Sequence, residues 1–265
     1  MKIPLATDNM LAEIEGAVGW ITFNKPARRN AVSLDMWQAI PAILDRLEQD
    51  PAVRVIVLKG AGTEAFVSGA DISEFETARS SPESSAHYER ILETANERLI
   101  GCPKPTIAMI RGFCIGGGLA IAIGCDVRIA EEGARFGIPA ARLGLGYGAS
   151  GVRKLMELVG PSFTKEIFFT ARHFSATEAR EMGLVNRVVD AEGLEPSIRR
   201  YCEIISDNAP MTMLALKRTV GELVRGSKAD LVACERLVKA CFDSDDYVEG
   251  RRAFMEKRRP MFRGR

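Results

Sequence analysis

The sequence has few histidines, and its cysteines are not spaced as metal ligands. Two histidines and six cysteines occur among 265 residues, and no two cysteines form a C-x-x-C pair. Neither His87 nor His173 stands beside a plausible nucleophile, which disfavours a Ser-His-Asp or Cys-His hydrolase. Zinc sites need clustered cysteine and histidine ligands. We therefore predict no metal site and interpret the cysteines as buried thiols of a protein from a reducing compartment.

An excess of charge of one sign and long apolar runs are also lacking. The 36 basic and 35 acidic residues give a formal net charge of +1, so no overall field favours nucleic acid or a membrane surface. The apolar runs are too short to cross a bilayer, and residues 1–11 do not have the pattern of a signal peptide. We expect a cytoplasmic protein that binds neither nucleic acid nor a membrane.

Extended and helical patterns alternate over most of the chain. Met10–Glu15 and Val18–Phe23 have the pattern of a hairpin around Gly16, and residues 53–59 that of a buried strand. Only helical patterns follow from about residue 192. We predict an α/β fold of repeated strand, strand and helix units in residues 1–194. The apolar helix faces of residues 195–265 suggest self-association.

Three local signals refine this prediction. Ser33 can cap a helix that runs to about residue 50, and Pro41 should kink or break that helix. Asp71 can cap the segment that follows it. Residues 79–85, rich in serine and containing a proline, predict a mobile loop.

Three consecutive glycines, Gly116 to Gly118, separate an apolar extended run from a short apolar helical run. Glycine is costly within regular structure, so the backbone here must come close to something. One interpretation is a tight turn packed against another backbone. The other is an anion site, because a helix begins with unpaired N–H groups and partial positive charge.

A second extended run ends at Gly69 and is followed by Ala70. The N–H groups of Ala70 and Gly117 could converge on one carbonyl oxygen and stabilise charge that develops there. The pattern G-x-G-x-x-G at residues 146–151 is not interpreted as a dinucleotide site, because no strand directly precedes it and helical patterns follow.

The sequence resembles the crotonase (enoyl-CoA hydratase/isomerase) superfamily. The resemblance runs through nearly the whole chain and rests on these segments: Asn24-Lys-Pro with Asn30-Ala31; Ala65-Phe-Val-Ser-Gly-Ala-Asp-Ile72; Lys104-Pro, Gly112 and Gly116-Gly-Gly118; Phe136-Gly-Ile-Pro139; Gly183-Leu-Val-Asn186; and Gly250-Arg-Arg-Ala-Phe254 with Lys257-Arg258.

This resemblance implies a crotonase-type spiral of β-β-α repeats with a C-terminal helical region that forms trimers or hexamers. It implies an acyl-CoA substrate whose thioester C=O lies between the N–H groups of Ala70 and Gly117. Coenzyme A then enters as part of the substrate, and no separate cofactor is expected. The residues implied to lie near CoA are Lys25, Arg28 and Arg29 at its phosphates, the backbone through Asp71 and Ile72 at the adenine, and Phe254 and Lys257 from a neighbouring subunit.

The chain departs from the superfamily at the acid/base positions. Hydratases of this superfamily carry glutamates where this sequence has Ala120 and Ala140, and isomerases carry an acid at one of two places that correspond to Ala140 and Gly148. Adding water to a double bond needs both a base and an acid. The residues at these three positions cannot ionise.

The pattern around Tyr147 is similar to that of the methylmalonyl-CoA decarboxylases of the superfamily. Decarboxylation needs no base in its first step, since the electrons come from the C–CO2 bond. The leading hypothesis is therefore a malonyl- or methylmalonyl-type CoA decarboxylase in which Tyr147 orients the carboxylate or returns a proton. The alternatives are a hydratase or isomerase that uses another acid, such as Glu74 or Glu76, and a CoA-binding subunit without catalysis.

Overall fold

A computed structural model of the chain describes residues 1–74, 80–226 and 228–265. The strands are β1 (Lys2–Ile3), β2 (Met10–Glu15), β3 (Val18–Phe23), β4 (Val55–Gly60), β5 (Ala65–Val67), β6 (Thr106–Ile110), β7 (Phe113–Ile115), β8 (Val127–Glu131), β9 (Arg135–Gly137), β10 (Phe174–Ser175) and β11 (Arg187–Val189). They form two sheets. The larger sheet has the order β1-β2-β3-β4-β6-β8-β11, and the smaller has the order β10-β9-β7-β5, so that successive strands from β4 to β9 alternate between the two sheets.

Nine α-helices lie within the described residues. Four of them follow one another at the C-terminus, as the sequence predicts. The helices are α1 (Leu34–Gln49), α2 (Pro82–Ile100), α3 (Gly117–Gly124), α4 (Ala149–Thr170), α5 (Ala176–Glu181), α6 (Leu194–Ser206), α7 (Pro210–Arg225), α8 (Lys228–Phe242) and α9 (Asp245–Met255). None of these helices is long and apolar enough to cross a membrane.

The architecture is a spiral of β-β-α units. Each turn adds a parallel strand to the larger sheet, then a short strand to the smaller sheet, then a helix. The three units are β4-β5-α2, β6-β7-α3 and β8-β9-α4. The predicted hairpin is confirmed, because β2 and β3 pair antiparallel at the start of the larger sheet.

Apolar residues on both faces of the larger sheet are buried. One face packs with α1 and the smaller sheet around Trp37, Phe66 and Phe136. The other face is covered by α6, whose Leu194 and Ile198 join a separate buried cluster. Each such large side chain contributes about 1.5–3 kcal/mol to the hydrophobic stabilisation. The helical region that follows residue 194 therefore begins with a helix of the sheet's own core.

Two predictions about helices differ in part from the structure. Helix α1 runs through Pro41 without a break, because one missing backbone hydrogen bond is outweighed by a face that buries Ile40, Ile43 and Leu44. The expected loop at residues 79–85 is already helical from Pro82, where Ser81 and Ser84 form a capping box. Residue 79 of that expected loop lies outside the described residues.

Candidate active site

The three glycines of the triplet occupy positions with different structural requirements. Gly116 has φ +53° and ψ −114°, which favours glycine. A Cβ on Gly118 would lie 2.2 Å from the carbonyl oxygen of Val67, so this glycine lets α3 pack directly on β5. The packed-turn interpretation is therefore correct for Gly118. It does not account for Gly117, which is the first residue of α3.

The backbone around Ala70 is paired on both sides but not at Ala70 itself. Val32 donates to the Gly69 carbonyl at 2.8 Å and accepts from the Asp71 N–H at 2.9 Å. Those two bonds hold the segment beside the start of α1. The Ala70 N–H itself, between them, has no acceptor in the described part of the chain.

Gly117 lies close to this N–H group. A Cβ on Gly117 would be 3.5 Å from the Ala70 nitrogen. As the first residue of α3, Gly117 has no carbonyl one turn earlier within the helix, and its N–H also lacks an acceptor among the described residues. The preceding Gly116 N–H is fixed by the carbonyl of Gly137 at 2.8 Å. Two neighbouring donors, held by strand pairing and a helix start, form a geometry that can bind an oxyanion.

Trp37 borders the same place. Its Cζ2 would lie 3.3 Å from a Cβ on Gly117, and the side chain is fully buried. The helical spacing of α1 led us to expect a core residue there. Helical spacing predicts that a residue is buried, but it does not predict which residue will be its neighbour. The contact between Trp37 and Gly117 could therefore not be predicted from the sequence.

The expected carboxylate positions hold methyl groups. Ala140 is buried, and its carbonyl accepts from the N–H groups of Leu143 and Leu145, both at 3.0 Å. Ala120 lies one turn into α3, with its N–H bound to the Gly116 carbonyl. Neither residue can move a proton.

Glu74, one of the two acids considered from the sequence, serves another purpose. Its Oε2 accepts from the Leu34 N–H at 2.9 Å, so it caps the N-terminus of α1. Asp71 meanwhile accepts from the N–H and hydroxyl of Ser73, which caps the short turn Ile72–Glu74 as the sequence predicted. Glu76 lies outside the described residues.

Glu93 brings a carboxylate to the start of α4, which directly follows the glycine-rich residues 144–148. This exposed residue of α2 accepts a hydrogen bond from the Ser150 hydroxyl at 3.3 Å. Ser150 lies in the first turn of α4, two residues after Gly148. No sequence pattern predicts this contact, because the two residues belong to different turns of the spiral.

Tyr147 belongs to the exposed segment of residues 141–150. Its ring packs edge-on against Phe168, with 4.9 Å between the centroids. Although 38% of the residue surface is exposed, burial of the phenol by the surrounding protein raises the pKa of Tyr147 to about 12. The phenol therefore keeps its proton at neutral pH.

The basic loop expected near CoA is anchored by Asn30. This buried residue donates to the carbonyls of Ala61 at 3.0 Å and Ala65 at 2.8 Å, and accepts from the Lys25 N–H. The Lys25 ammonium is 2.7 Å from Asp71. Hydrogen bonding from Lys25 is the main cause that holds the pKa of Asp71 below its usual value.

The other residues expected near CoA are exposed. Arg29 pairs with Glu64 at 3.1 Å and lies over the Phe113 ring, while Arg28 is exposed on the same turn. Ile72 is also exposed. In the C-terminal helices, Phe254 is 82% exposed, and Lys257 follows the end of α9 with φ +52°. Among these residues, Asp71 directly follows Ala70 and is paired with Lys25, while Phe254 and Lys257 are exposed in the C-terminal region.

The spiral of β-β-α units followed by C-terminal helices is the crotonase fold. The chain belongs to the enoyl-CoA hydratase/isomerase family, whose sequence model matches residues 13–265. It is 35% identical over 256 residues to a short-chain-enoyl-CoA hydratase of Clostridium acetobutylicum, a match that covers 95% of this chain and 96% of that protein. It is 33% identical over 265 residues to a crotonyl-CoA hydratase of Syntrophomonas wolfei, covering 97% and 99%.

Solved structures agree with this assignment. An enoyl-CoA hydratase/isomerase family protein from Hyphomonas neptunium superposes with a TM-score of 0.93 at 36% identity, covering 97% of this chain and 98% of that one. An enoyl-CoA hydratase from Bacillus anthracis gives a TM-score of 0.91 at 32% identity, covering 97% and 100%. These relatives carry the names of hydratases and isomerases, so a particular closeness to methylmalonyl-CoA decarboxylase stays a hypothesis.

Proposed function

We propose that this enzyme binds an acyl-CoA thioester with its carbonyl oxygen facing the N–H groups of Ala70 and Gly117. The observation that carries the proposal is the pair of neighbouring N–H groups that have no acceptor within the described residues. Negative charge that develops on the thioester oxygen would be stabilised there. Removal of one such donor costs about 2.7–4 kcal/mol in other enzymes.

The reaction we favour is hydration or isomerisation of a 2-enoyl-CoA, as the names of the relatives suggest. Hydration adds water oxygen to Cβ while a base takes a water proton, and a proton is delivered to Cα. With alanine at residues 120 and 140, another side chain must move these protons. We propose Glu93, because its carboxylate contacts Ser150. Ser150 is two residues after Gly148, which corresponds to one of the positions where isomerases of the superfamily carry an acid.

Decarboxylation of a malonyl-type CoA thioester is a second candidate, favoured by Ala120 and Ala140. The C–CO2 bond breaks, its electron pair forms the enolate, CO2 leaves, and Cα is then protonated. The first step needs no base, and Tyr147 carries a proton at neutral pH that could be returned to Cα. In this reaction Glu93 has no required role.

The two reactions are distinguished with purified protein and two substrates. Hydration of crotonyl-CoA without CO2 release from methylmalonyl-CoA would support the favoured reaction, and the reverse result would support decarboxylation. Tight binding of several acyl-CoA thioesters without turnover would instead show a binding subunit. Absence of any acyl-CoA binding would refute the proposed function as a whole.

The remaining residues are proposed to bind the CoA part of the substrate. Lys25, Arg28 and Arg29 would contact phosphates, and the exposed turn at Ile72 would meet the adenine. Phe254 and Lys257 would reach CoA from a second copy of the chain within a trimer or hexamer. Sedimentation velocity of the purified protein tests this assembly.

A further inference from the structure

Trp37 carries a polar group that the proposed mechanism does not use. Its side chain is fully buried, and its indole Nε1 has no hydrogen-bond partner in the described part of the chain. Buried tryptophan N–H groups ordinarily find an acceptor. The Nε1 of Trp20 is likewise without a partner among the described residues, so the missing partner supports a bound ligand at Trp37 only together with the position of its ring.

The edge of the ring lies beside Gly117. Cζ2, the ring atom two bonds from Nε1, would lie 3.3 Å from a Cβ on Gly117, and the Ala70 nitrogen would lie 3.5 Å from the same point. The edge of the indole and the Ala70 nitrogen thus lie on the same side of Gly117.

Helix α1 is held firmly in this place. Val32, two residues before the helix, is bonded to both neighbours of Ala70, and the Leu34 N–H is capped by Glu74. Trp37 lies one turn further along. Movement of α1 away from Gly117 would therefore disturb the backbone that presents the Ala70 N–H.

We propose that the indole N–H of Trp37 is a third donor to the thioester oxygen of the bound acyl-CoA. This inference rests on the proposed function and deepens it by adding a side-chain donor to the two backbone donors. An enolate oxygen carries a full negative charge and can accept from three donors, whereas a buried N–H without an acceptor is costly. Trp37 is thus a catalytic residue that contacts the substrate oxygen.

The test uses a pair of ligands that differ at the oxygen. Butyryl-CoA has the thioester carbonyl, and its thioether analogue S-butyl-CoA has the same chain without that oxygen. In protein labelled with 15N-tryptophan, the two indole N–H resonances are assigned with the variant Trp20→Phe. Trp20 serves as the matched control because it lies in the other buried cluster, beneath the Lys59 ammonium.

Butyryl-CoA is expected to move the Trp37 indole proton downfield, and S-butyl-CoA is expected to leave it unshifted. In calorimetry, Trp37→Phe should weaken butyryl-CoA binding about three- to tenfold without weakening S-butyl-CoA binding, and Trp20→Phe should change neither. Equal shifts with both ligands, or no shift while butyryl-CoA binds, would overturn the role of Trp37 alone. Absence of butyryl-CoA binding to the unsubstituted protein would overturn the proposed function as well.

Discussion

The paired N–H groups and the loop of residues 141–150 are built in opposite ways. The N–H groups belong to buried backbone that is fixed by the Val32 bonds, by the Gly116–Gly137 bond and by close packing of Gly118. Every residue of the loop is exposed, and its chemistry depends on side chains such as Tyr147. Under the proposed function, the fold fixes the groups that polarise the thioester, while a few replaceable side chains transfer the protons.

The largest effect should come from filling the space at Gly118. In Gly118→Val, the Cβ would lie 2.2 Å from the Val67 carbonyl oxygen. We expect a loss of about 3 kcal/mol or more in the free energy of unfolding, or on the order of 10 °C in Tm. The matched control is Gly146→Ala in the exposed loop, where no atom lies within 4 Å of the added Cβ. Equal Tm values for the two variants would contradict the comparison.

The next largest effect concerns the loop and its partner on α2. If the enzyme hydrates enoyl-CoA, Glu93→Gln should lower kcat about 10²–10⁴-fold, because the amide cannot exchange the proton. Glu97→Gln, on an exposed residue one turn along the same helix, should leave kcat unchanged. Steady-state hydration of crotonyl-CoA measures both. Full activity of the Glu93 variant would remove it from the mechanism.

Gly117→Ala tests the fixed part of the site. The added methyl would meet the Trp37 ring at 3.3 Å and would lie 3.5 Å from the Ala70 nitrogen. It would therefore occupy space beside the N–H pair without preventing folding. We expect kcat to fall about 10²–10³-fold, for hydration and for decarboxylation alike, with a Tm near that of the unsubstituted protein. A variant that loses one activity and keeps the other would show that the N–H pair does not serve both reactions.

The smallest effect is on stability in acid. Lys25 depresses the pKa of Asp71, so the pair stabilises the folded state above the unfolded pKa of about 4, and this contribution is lost as pH falls through the lower folded pKa. Asp71→Asn should lower the free energy of unfolding by about 1 kcal/mol at pH 7. It should also make the fall of that free energy below pH 4 less steep. Thermal melts from pH 7 to pH 3 measure this. The exposed pair Arg29–Glu64 provides the control, and Glu64→Gln should reproduce the unsubstituted curve.

The backbone part of the site could be predicted from the sequence. A backbone that must come close to another group needs glycine, and glycine can be recognised in the sequence. Two extended runs that end in glycine identified Ala70 and Gly117, and the methyl groups at Ala120 and Ala140 were visible directly. Trp37 and Glu93 could not be predicted in the same way. Their neighbours, Gly117 and Ser150, are 80 and 57 residues away in the sequence, and only the turns of the spiral bring them together.

The polarisation of the thioester can be measured directly with butyryl-CoA labelled with 13C at the carbonyl carbon. If the N–H groups of Ala70 and Gly117 bind the thioester oxygen, the carbonyl resonance should move downfield when the ligand binds. In Gly117→Ala, the methyl group beside the Ala70 N–H should remove most of that shift. A bound carbonyl carbon whose resonance is the same as in free butyryl-CoA would contradict the proposed oxyanion site.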